Sequence, residues 1–265
     1  MINNSRRLCE NYNDQGYFVL RHYFSEQEIE ALKSVILTFH ARWKKDNAAF
    51  YQEEAFNSSV ITGSEYLSSD QRLTLFNFIS STKMMEMITS VIPGTPVFMN
   101  TQLFFNPVNP QQKDFWHRDC QYDYDLEEQE KVTLNTRVVH LRIPLFDELG
   151  MELIPGTHKR WDNEQEFNVR QEVNGRKSHE SLAGGEEIPL AAGDLFVFSA
   201  DMIHRGLYGL DRLALDVLVF DADDDYVNYV DYIDDDCLPD RTLLKRIDNP
   251  LLYENALALK SKAAL

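Results

Sequence analysis

The chain has 265 residues, of which 43% are hydrophobic and 12% aromatic, so it can bury the core of a folded domain. Its formal net charge of −17 at pH 7 argues against binding to nucleic acid or to an anionic membrane surface. No apolar run approaches the length of a membrane span, and the N-terminal residues lack the apolar core of a signal peptide. Three widely spaced cysteines favour reduced thiols over a disulfide framework, so we expect a cytoplasmic protein.

The first third of the chain is predicted to be mainly helical. Gly16 leads into a short strand over residues 17–20, and Ser25 with Glu28 forms a capping box at the start of the first long helix. Apolar residues recurring at helical spacing predict helices over about 26–45, 68–80 and 82–91. Residues 46–66 show no clear period and are predicted to form a loop.

Beyond these helices the pattern changes to short β-prone segments separated by turns. The predicted strands cover about 97–105, 117–122, 137–145, 151–154, 195–198 and 212–220. Acidic residues 125–130 are expected to form a surface loop, and polar residues 159–187 an excursion over one rim. Helices followed by many short strands favour a mainly β fold with flanking helices, a double-stranded β-helix (jelly roll) of cupin-like type.

We expect one domain over residues 1–265, because neither internal repeats nor a clear linker interrupts the chain. Its parts would be a helical N-terminal flank over about 25–92, a jelly-roll core over about 95–220 and an acidic, helical C-terminal extension over 221–265. Residues 221–236 include eight aspartates, but interleaved apolar residues such as Tyr226 and Val227 favour packing against the body over a solvated tract. Residues 240–262 are predicted to be helical, with an interruption at Pro250.

Two distant motifs point to a metal centre: His117-Arg118-Asp119 and the later His204. In a strand, side chains two residues apart project to the same face, so His117 and Asp119 can approach one ion together. The imidazole of His204 would complete a face of two histidines and one carboxylate. That ligand set is typical of non-haem Fe(II) oxygenases and leaves other coordination positions open. The alternative for each motif alone is an ordinary core or surface histidine.

Five sequence blocks in one order resemble the phytanoyl-CoA dioxygenase family of Fe(II)/2-oxoglutarate-dependent oxygenases. The blocks are Gly16-Tyr17-Phe18-Val19-Leu20 with Phe24-Ser25, Thr101-Gln102-Leu103-Phe104-Phe105-Asn106-Pro107, Trp116-His117-Arg118-Asp119, Ile154-Pro155-Gly156-Thr157-His158, and Ala192-Gly193-Asp194 leading to His204. The resemblance covers roughly residues 12–220. It implies the jelly-roll fold, Fe(II) as cofactor, and 2-oxoglutarate and O2 as cosubstrates.

The resemblance also implies roles for particular residues. His117, Asp119 and His204 would be the catalytic iron ligands, and Arg212 would hold the distal carboxylate of 2-oxoglutarate by a bidentate, charge-assisted contact. Arg212 follows His204 by eight residues, a shorter interval than the family usually shows. Gln102 matches a position that contacts the cosubstrate in some members. Because Asp119 stands where halogenating relatives carry a small residue, the resemblance implies hydroxylation or a related oxidation.

A small-molecule substrate is expected beside the metal, and three residues are candidates to contact it. If the strand over 137–145 turns its apolar residues toward the core, His140 and Arg142 face the interior. Arg142 would then either bind an anionic group of the substrate or form a buried ion pair with an acidic side chain. Trp116 would either lie over the substrate or pack beneath its strand.

Two other functions compete with the oxygenase interpretation. One is a catalytically silent jelly-roll protein that keeps a metal for structure or ligand sensing. The other is a cupin-type metal isomerase, which usually draws ligands from an H-x-H pair that this sequence lacks. The complete triad and Arg212 favour the oxygenase, because a silent relative has no physical need for an open coordination face.

Overall fold

In the computed structural model, residues 2–222 and 229–263 are described, with side chains from residue 7 onward. The N-terminal helices are α1 (Ile2–Gln15), α2 (Glu26–Asp46), α3 (Ala48–Glu53), α4 (Ser69–Ile79) and α5 (Thr82–Val91). The capping box before α2 is present, since the Ser25 hydroxyl accepts from the Glu28 amide and the Glu28 carboxylate accepts from the Ser25 amide. The three predicted helices are confirmed.

The prediction of a loop over residues 46–66 is wrong for two parts of that segment. It contains α3 and a short strand, β2 (Asn57–Ser59), which pairs with the strand that follows α5. The ring of Tyr51 in α3 lies 5.5 Å from that of Phe105. Both elements are therefore stabilised by partners distant in sequence, which a local hydrophobic period does not register.

The described strands form two antiparallel sheets. The larger has the order β1 (Tyr17–Leu20), β7 (Leu195–Ser199), β4 (Val138–Pro144), β9 (Leu213–Asp221), β3 (Pro96–Phe105) and β2. The smaller has the order β6 (Glu186–Leu190), β5 (Glu148–Leu153) and β8 (His204–Gly206). Two antiparallel sheets with flanking helices confirm the predicted mainly β, jelly-roll fold.

The central strand β4 is buried along its whole length, and its two faces differ in chemistry. Val139, Leu141 and Ile143 belong to the main hydrophobic core. His140 and Arg142 alternate with them and line a cavity on the other side. The predicted division of this strand into an apolar face and a polar face is therefore confirmed.

Two predictions in the metal-binding region are wrong in their secondary structure. Residues 117–122 are not a strand, because His117 makes only an isolated bridge to His204 and a 3-10 helix begins at Asp119. Residues 125–130 are not a loop but enter α6 (Leu126–Asn135), which Asp125 caps. The polar segment 159–187 contains a further helix, α7 (Glu164–Arg170).

The C-terminal segment packs against the body. After the sheet, the described residues form α8 (Arg241–Leu244) and α9 (Leu251–Ala263). Tyr229, Val230 and Ile233 are buried, whereas Tyr226 and Val227 of the same predicted amphipathic run lie outside the described residues. One hydrophobic cluster contains residues of α1, the sheet and α9, although the single domain over 1–265 stays a prediction. Among the described residues, we find no helix with both the length and the apolar character that a bilayer crossing requires.

Tyr253 allows a test of whether α9 belongs to the same cooperative unit as the sheet. Its buried ring lies 5.3 Å from that of Phe98 in β3, and its hydroxyl donates to the Phe76 carbonyl at 2.9 Å. We expect Tyr253→Ala to lower the free energy of unfolding by about 3–5 kcal/mol in urea denaturation. Leu251→Ala, at an exposed position of α9, should change it by less than about 0.5 kcal/mol. A separate early transition of the C-terminal segment would contradict the single-domain prediction.

His40 predicts the direction of an acid effect on stability. The side chain is buried in α2 against Phe105, and this burial, followed by the charge of Lys44, lowers its pKa from 6.5 to about 4. Between these pH values the unfolded chain binds a proton that the folded chain does not, so stability falls as pH drops through this window. We expect His40→Leu to lose less stability than the wild type between about pH 7 and about pH 5. His179→Leu, at an exposed position, is the control. Equal losses of stability in both variants would contradict the assignment of this acid effect to His40.

Candidate metal and cosubstrate site

His117, Asp119 and His204 lie together, with potential ligand atoms all within 4.8 Å of one another. The Oδ1 atom of Asp119 is 3.5 Å from Nε2 of His117 and 3.5 Å from Nε2 of His204. Reciprocal backbone hydrogen bonds of 3.0 Å between the two histidines fix the spacing of their imidazoles. Asp119 reaches the same point from the first turn of the 3-10 helix. The structure thus brings the three predicted metal ligands together.

The hydrogen bonds of the two imidazoles leave the Nε2 lone pairs available to bind a metal. Nδ1 of His117 lies 3.0 Å from the Phe115 carbonyl, and Nδ1 of His204 lies 2.9 Å from the Met202 carbonyl. Because a carbonyl only accepts, each Nδ1 carries the proton and each Nε2 keeps its lone pair. Burial lowers the pKa of His117 and lowers that of His204 to about 3, so both rings are neutral at neutral pH.

The carboxylate of Asp119 completes this donor set. Burial alone would raise its pKa, but the hydrogen bond and charge of His140 hold the pKa well below its usual range. Two neutral imidazole nitrogens and one ionised carboxylate on one side of a cavity fit a divalent iron ion and leave its other side accessible. Deprotonated ligands are also what metal binding requires at neutral pH.

Behind Asp119, a series of charged side chains extends into the protein, and each is hydrogen-bonded to the next. The Nε2 atom of His140 lies 2.8 Å from Asp119 Oδ2, and its Nδ1 atom lies 3.2 Å from Asp216 Oδ2. Arg142 donates to Asp216 Oδ1 at 2.8 Å and to both carboxylate oxygens of Glu148 at 2.8 and 3.0 Å. We call these five residues the buried charge row: Asp119, His140, Asp216, Arg142 and Glu148.

The charges of this row alternate in sign. Both ring nitrogens of His140 face carboxylates, which only accept, so both carry protons. Burial opposes a charged imidazole, but the hydrogen bonds and charges of Asp119 and Asp216 raise the pKa of His140 to about 9. Arg142 and Asp216 lie directly opposite each other in β4 and β9, the two central strands of the larger sheet. Each buried charge therefore has an oppositely charged neighbour on a rigid frame.

Arg212 lies beyond the inner end of the row, just before β9. Its side chain is buried, its Nε atom has no hydrogen-bond partner, and that Nε lies 3.9 Å from Glu148 Oε2. Burial, followed by the charge of Arg142, lowers the pKa of Arg212 to about 10, so it stays charged at neutral pH. A side chain at Gly206 would collide with the Arg212 guanidinium, so glycine keeps this position open. Nη1 of Arg212 donates to the Phe105 carbonyl at 3.4 Å, whereas its Nε is unused, and a buried guanidinium that is incompletely paired fits a carboxylate ligand such as an end of 2-oxoglutarate.

A cavity of about 470 Å³ joins these groups. The metal triad, Arg212 and Gln102 all line it, so the residues that the resemblance implies for metal and cosubstrate face one space. The same cavity is lined by aromatic side chains, which include Phe56, Phe115, Tyr122, Tyr124, Tyr229 and Tyr232. Gln102 lies opposite Asp216 in the pairing of β3 with β9.

The three candidate substrate residues have different surroundings. His140 and Arg142 line the cavity, but their polar atoms contact the carboxylates of the charge row. Trp116 is fully buried outside the described cavity lining, and its Nε1 donates to the Glu180 carbonyl at 2.9 Å. A substrate role for these three residues stays a prediction.

Sequence reasoning missed Glu148 and Asp216 as parts of the site. Asp216 carried a signal, since it is a lone acid in the apolar run Leu213–Phe220 and has the same strand parity as Arg212. Glu148 directly follows Asp147 in a short connection between strands, where an acidic residue is unremarkable, so its burial against Arg142 had no local signature. Tyr122 and Tyr124 also line the cavity, and their signal in the sequence is their position directly after the H-x-D motif.

Comparisons with solved structures support the fold. EctD from S. alaskensis, solved with 2-oxoglutarate and 5-hydroxyectoine, is 15% identical with a TM-score of 0.58, over 82% of this chain and 76% of that chain. HygX from Streptomyces hygroscopicus, solved with nickel and 2-oxoglutarate, is 10% identical with a TM-score of 0.55, over 82% and 87%. The α-ketoglutarate-dependent epimerase SnoN from nogalamycin biosynthesis is 13% identical with a TM-score of 0.53, over 84% of each chain. At these identities, the likeness establishes the shared fold.

Family membership rests on the sequence itself. A search of curated proteins finds no match. The model of the family described as phytanoyl-CoA dioxygenase (PhyH) matches residues 12–207, which is most of the chain. That range contains the complete metal triad and the motifs that carry the sequence resemblance. The chain therefore belongs to the phytanoyl-CoA dioxygenase family of Fe(II)/2-oxoglutarate-dependent oxygenases.

Proposed function

We propose that this protein is an Fe(II)/2-oxoglutarate-dependent dioxygenase that hydroxylates an aliphatic C–H bond of a small molecule. The observation that carries the proposal is one cavity lined by both the His117–Asp119–His204 triad and the buried, incompletely paired Arg212. A metal site alone would fit many functions. A metal site that shares its cavity with an available guanidinium fits a centre that also binds a dicarboxylate.

Each residue has a defined part in this function. His117 Nε2, His204 Nε2 and Asp119 Oδ1 would hold Fe(II), and Arg212 would bind the distal carboxylate of 2-oxoglutarate, with Gln102 beside the cosubstrate. When bound, iron, 2-oxoglutarate and O2 supply the oxidation. One oxygen atom of O2 enters succinate as 2-oxoglutarate loses CO2, and the other is inserted into the substrate C–H bond. The protein orients that bond and excludes water, as the aromatic lining of the cavity permits.

The size of the cavity supports a small-molecule substrate. Its volume of about 470 Å³ lies within the usual range of ligand pockets, and 2-oxoglutarate would occupy part of it. The prediction of an anionic substrate depends on Arg142, whose guanidinium contacts Glu148 and Asp216, and it stays a prediction. The presence of Asp119 favours hydroxylation or a related oxidation over halogenation, and the fold also serves the epimerase SnoN.

Asp119→Ala tests the proposed function. Anaerobic Fe(II)-loaded wild-type protein should bind 2-oxoglutarate, and admission of O2 should release succinate, faster when a substrate is present. Asp119→Ala should bind Fe(II) more weakly and release no succinate, because the only carboxylate of the triad is lost. The variant should remain folded in circular dichroism, since Asp119 contributes no apolar core contact.

Glu130→Ala is the matched control, because it removes one exposed carboxylate from α6 outside the described cavity lining. It should leave metal binding and succinate release unchanged. If the wild-type protein binds neither Fe(II) nor 2-oxoglutarate in the absence of oxygen, the enzyme proposal is refuted. Binding of both without any succinate would favour the silent jelly-roll alternative.

Arg212→Ala tests the cosubstrate site separately from the metal site. Loss of charge-assisted hydrogen bonds of about 1.5–3 kcal/mol should raise the 2-oxoglutarate concentration for half-maximal succinate release about 10- to 100-fold. Fe(II) affinity in the absence of 2-oxoglutarate should stay close to that of the wild type. An unchanged 2-oxoglutarate requirement would move the role to Arg142 or Arg205.

A further inference from the structure

Glu148 lies between two buried arginines and contacts them unequally. Its side chain is fully buried, and both of its oxygens accept hydrogen bonds from Arg142 at 2.8 and 3.0 Å. Its Oε2 atom is also only 3.9 Å from Nε of Arg212, the atom that has no hydrogen-bond partner. A small rotation of the carboxylate would therefore pair it with Arg212 instead.

Such a pairing would compete directly with a carboxylate ligand. A buried carboxylate is stable only with an opposite charge or hydrogen-bond donors beside it, so Glu148 must use one of its two arginines. A guanidinium that is already neutralised by Glu148 offers less binding energy to 2-oxoglutarate. The availability of Arg212 thus depends on Glu148 being occupied elsewhere.

Arg142 is itself held in the orientation that occupies Glu148. Its Nη1 atom donates to Asp216 Oδ1 at 2.8 Å, while its Nε and Nη2 atoms face Glu148. Arg142 and Asp216 are opposite each other in the central strands, so the backbone register sets their approach. The second oxygen of Asp216 is occupied by His140. Each of the three guanidinium nitrogens of Arg142 thus has a carboxylate partner.

We propose that Arg142 is a positioning residue that keeps Arg212 available for 2-oxoglutarate by holding Glu148 in a bidentate ion pair. This inference rests on the proposed function. It gives Arg142 a role without contact to the substrate or cosubstrate. The inference also predicts that affinity for 2-oxoglutarate falls on loss of Arg142 because the carboxylate of Glu148 is released. A general structural role of Arg142 would not require Glu148 for this effect.

The test is a binding measurement on Arg142→Met. Calorimetric titration of 2-oxoglutarate into Mn(II)-loaded protein without substrate should show a dissociation constant raised about tenfold, the effect of weakening one charge-assisted contact. Removal of the competing carboxylate in the double variant Arg142→Met/Glu148→Gln should restore most of the lost affinity. If Arg142 bound only an anionic substrate, the single variant would bind 2-oxoglutarate like the wild type.

Arg72→Met is the matched control for loss of a buried arginine. Arg72 donates to the carbonyls of Thr62 and Leu238 and lies outside the described cavity lining. We expect it to reduce thermal stability while leaving the 2-oxoglutarate dissociation constant unchanged. A comparable loss of affinity in Arg72→Met would show that destabilisation, and not Glu148, weakens binding.

The remaining outcomes also decide the inference. Wild-type affinity in Arg142→Met, or a double variant that binds as weakly as the single one, would overturn it. If Arg142→Met does not fold, Glu148→Gln alone decides: it should bind 2-oxoglutarate at least as tightly as the wild type, and weaker binding overturns the inference. Absence of 2-oxoglutarate binding in the Mn(II)-loaded wild type would instead refute the proposed function.

Discussion

His140 and Arg142 of β4 and Asp216 of β9 form the middle of an unbroken hydrogen-bonded row of charges, which ends at Asp119 in the 3-10 helix and at Glu148 in β5. Taking these groups out of water is costly, and the cost is offset only while every charge keeps its opposite neighbour. Removal of one member leaves its neighbours with fewer opposite charges in a buried environment, so the intact row favours one fixed arrangement of its side chains. The geometry at both ends of the row, at the candidate metal ligand Asp119 and in the region of Arg212, depends on that fixed arrangement.

Two histidines of the site show how local partners decide chemical roles. His204 and His140 are both buried, yet the pKa of His204 lies at about 3 and that of His140 at about 9. The Nδ1 atom of His204 faces a carbonyl and its Nε2 is left as a lone-pair donor, whereas His140 lies between two carboxylates. The same residue type is therefore suited to bind a metal at one position and to bridge two anions at the other.

Family membership and the shared fold account for the metal and cosubstrate centre, whereas they leave the choice of substrate unspecified. Structures that are only 10–15% identical retain the jelly roll, and they include an epimerase and a complex with 5-hydroxyectoine. Such diversity is expected when a constant centre lies in a cavity with variable walls. In this chain, aromatic side chains such as Tyr122 and Tyr124 form part of those walls. Substrate selection is therefore expected to depend on these walls.

The sequence alone determined the elements whose information is local: the capped helix after Ser25, the apolar alternation of β4, and the motif pattern that identified His117, Asp119 and His204. Residues 117–122 do not form the predicted strand. The triad still forms, because the His117–His204 bridge and a 3-10 helix place the same three side chains together. The partners of His140, Arg142 and Arg212 were decided only by the tertiary structure. Strand pairing and side-chain burial bring together groups far apart in the chain, and no local period encodes which acid will meet which base.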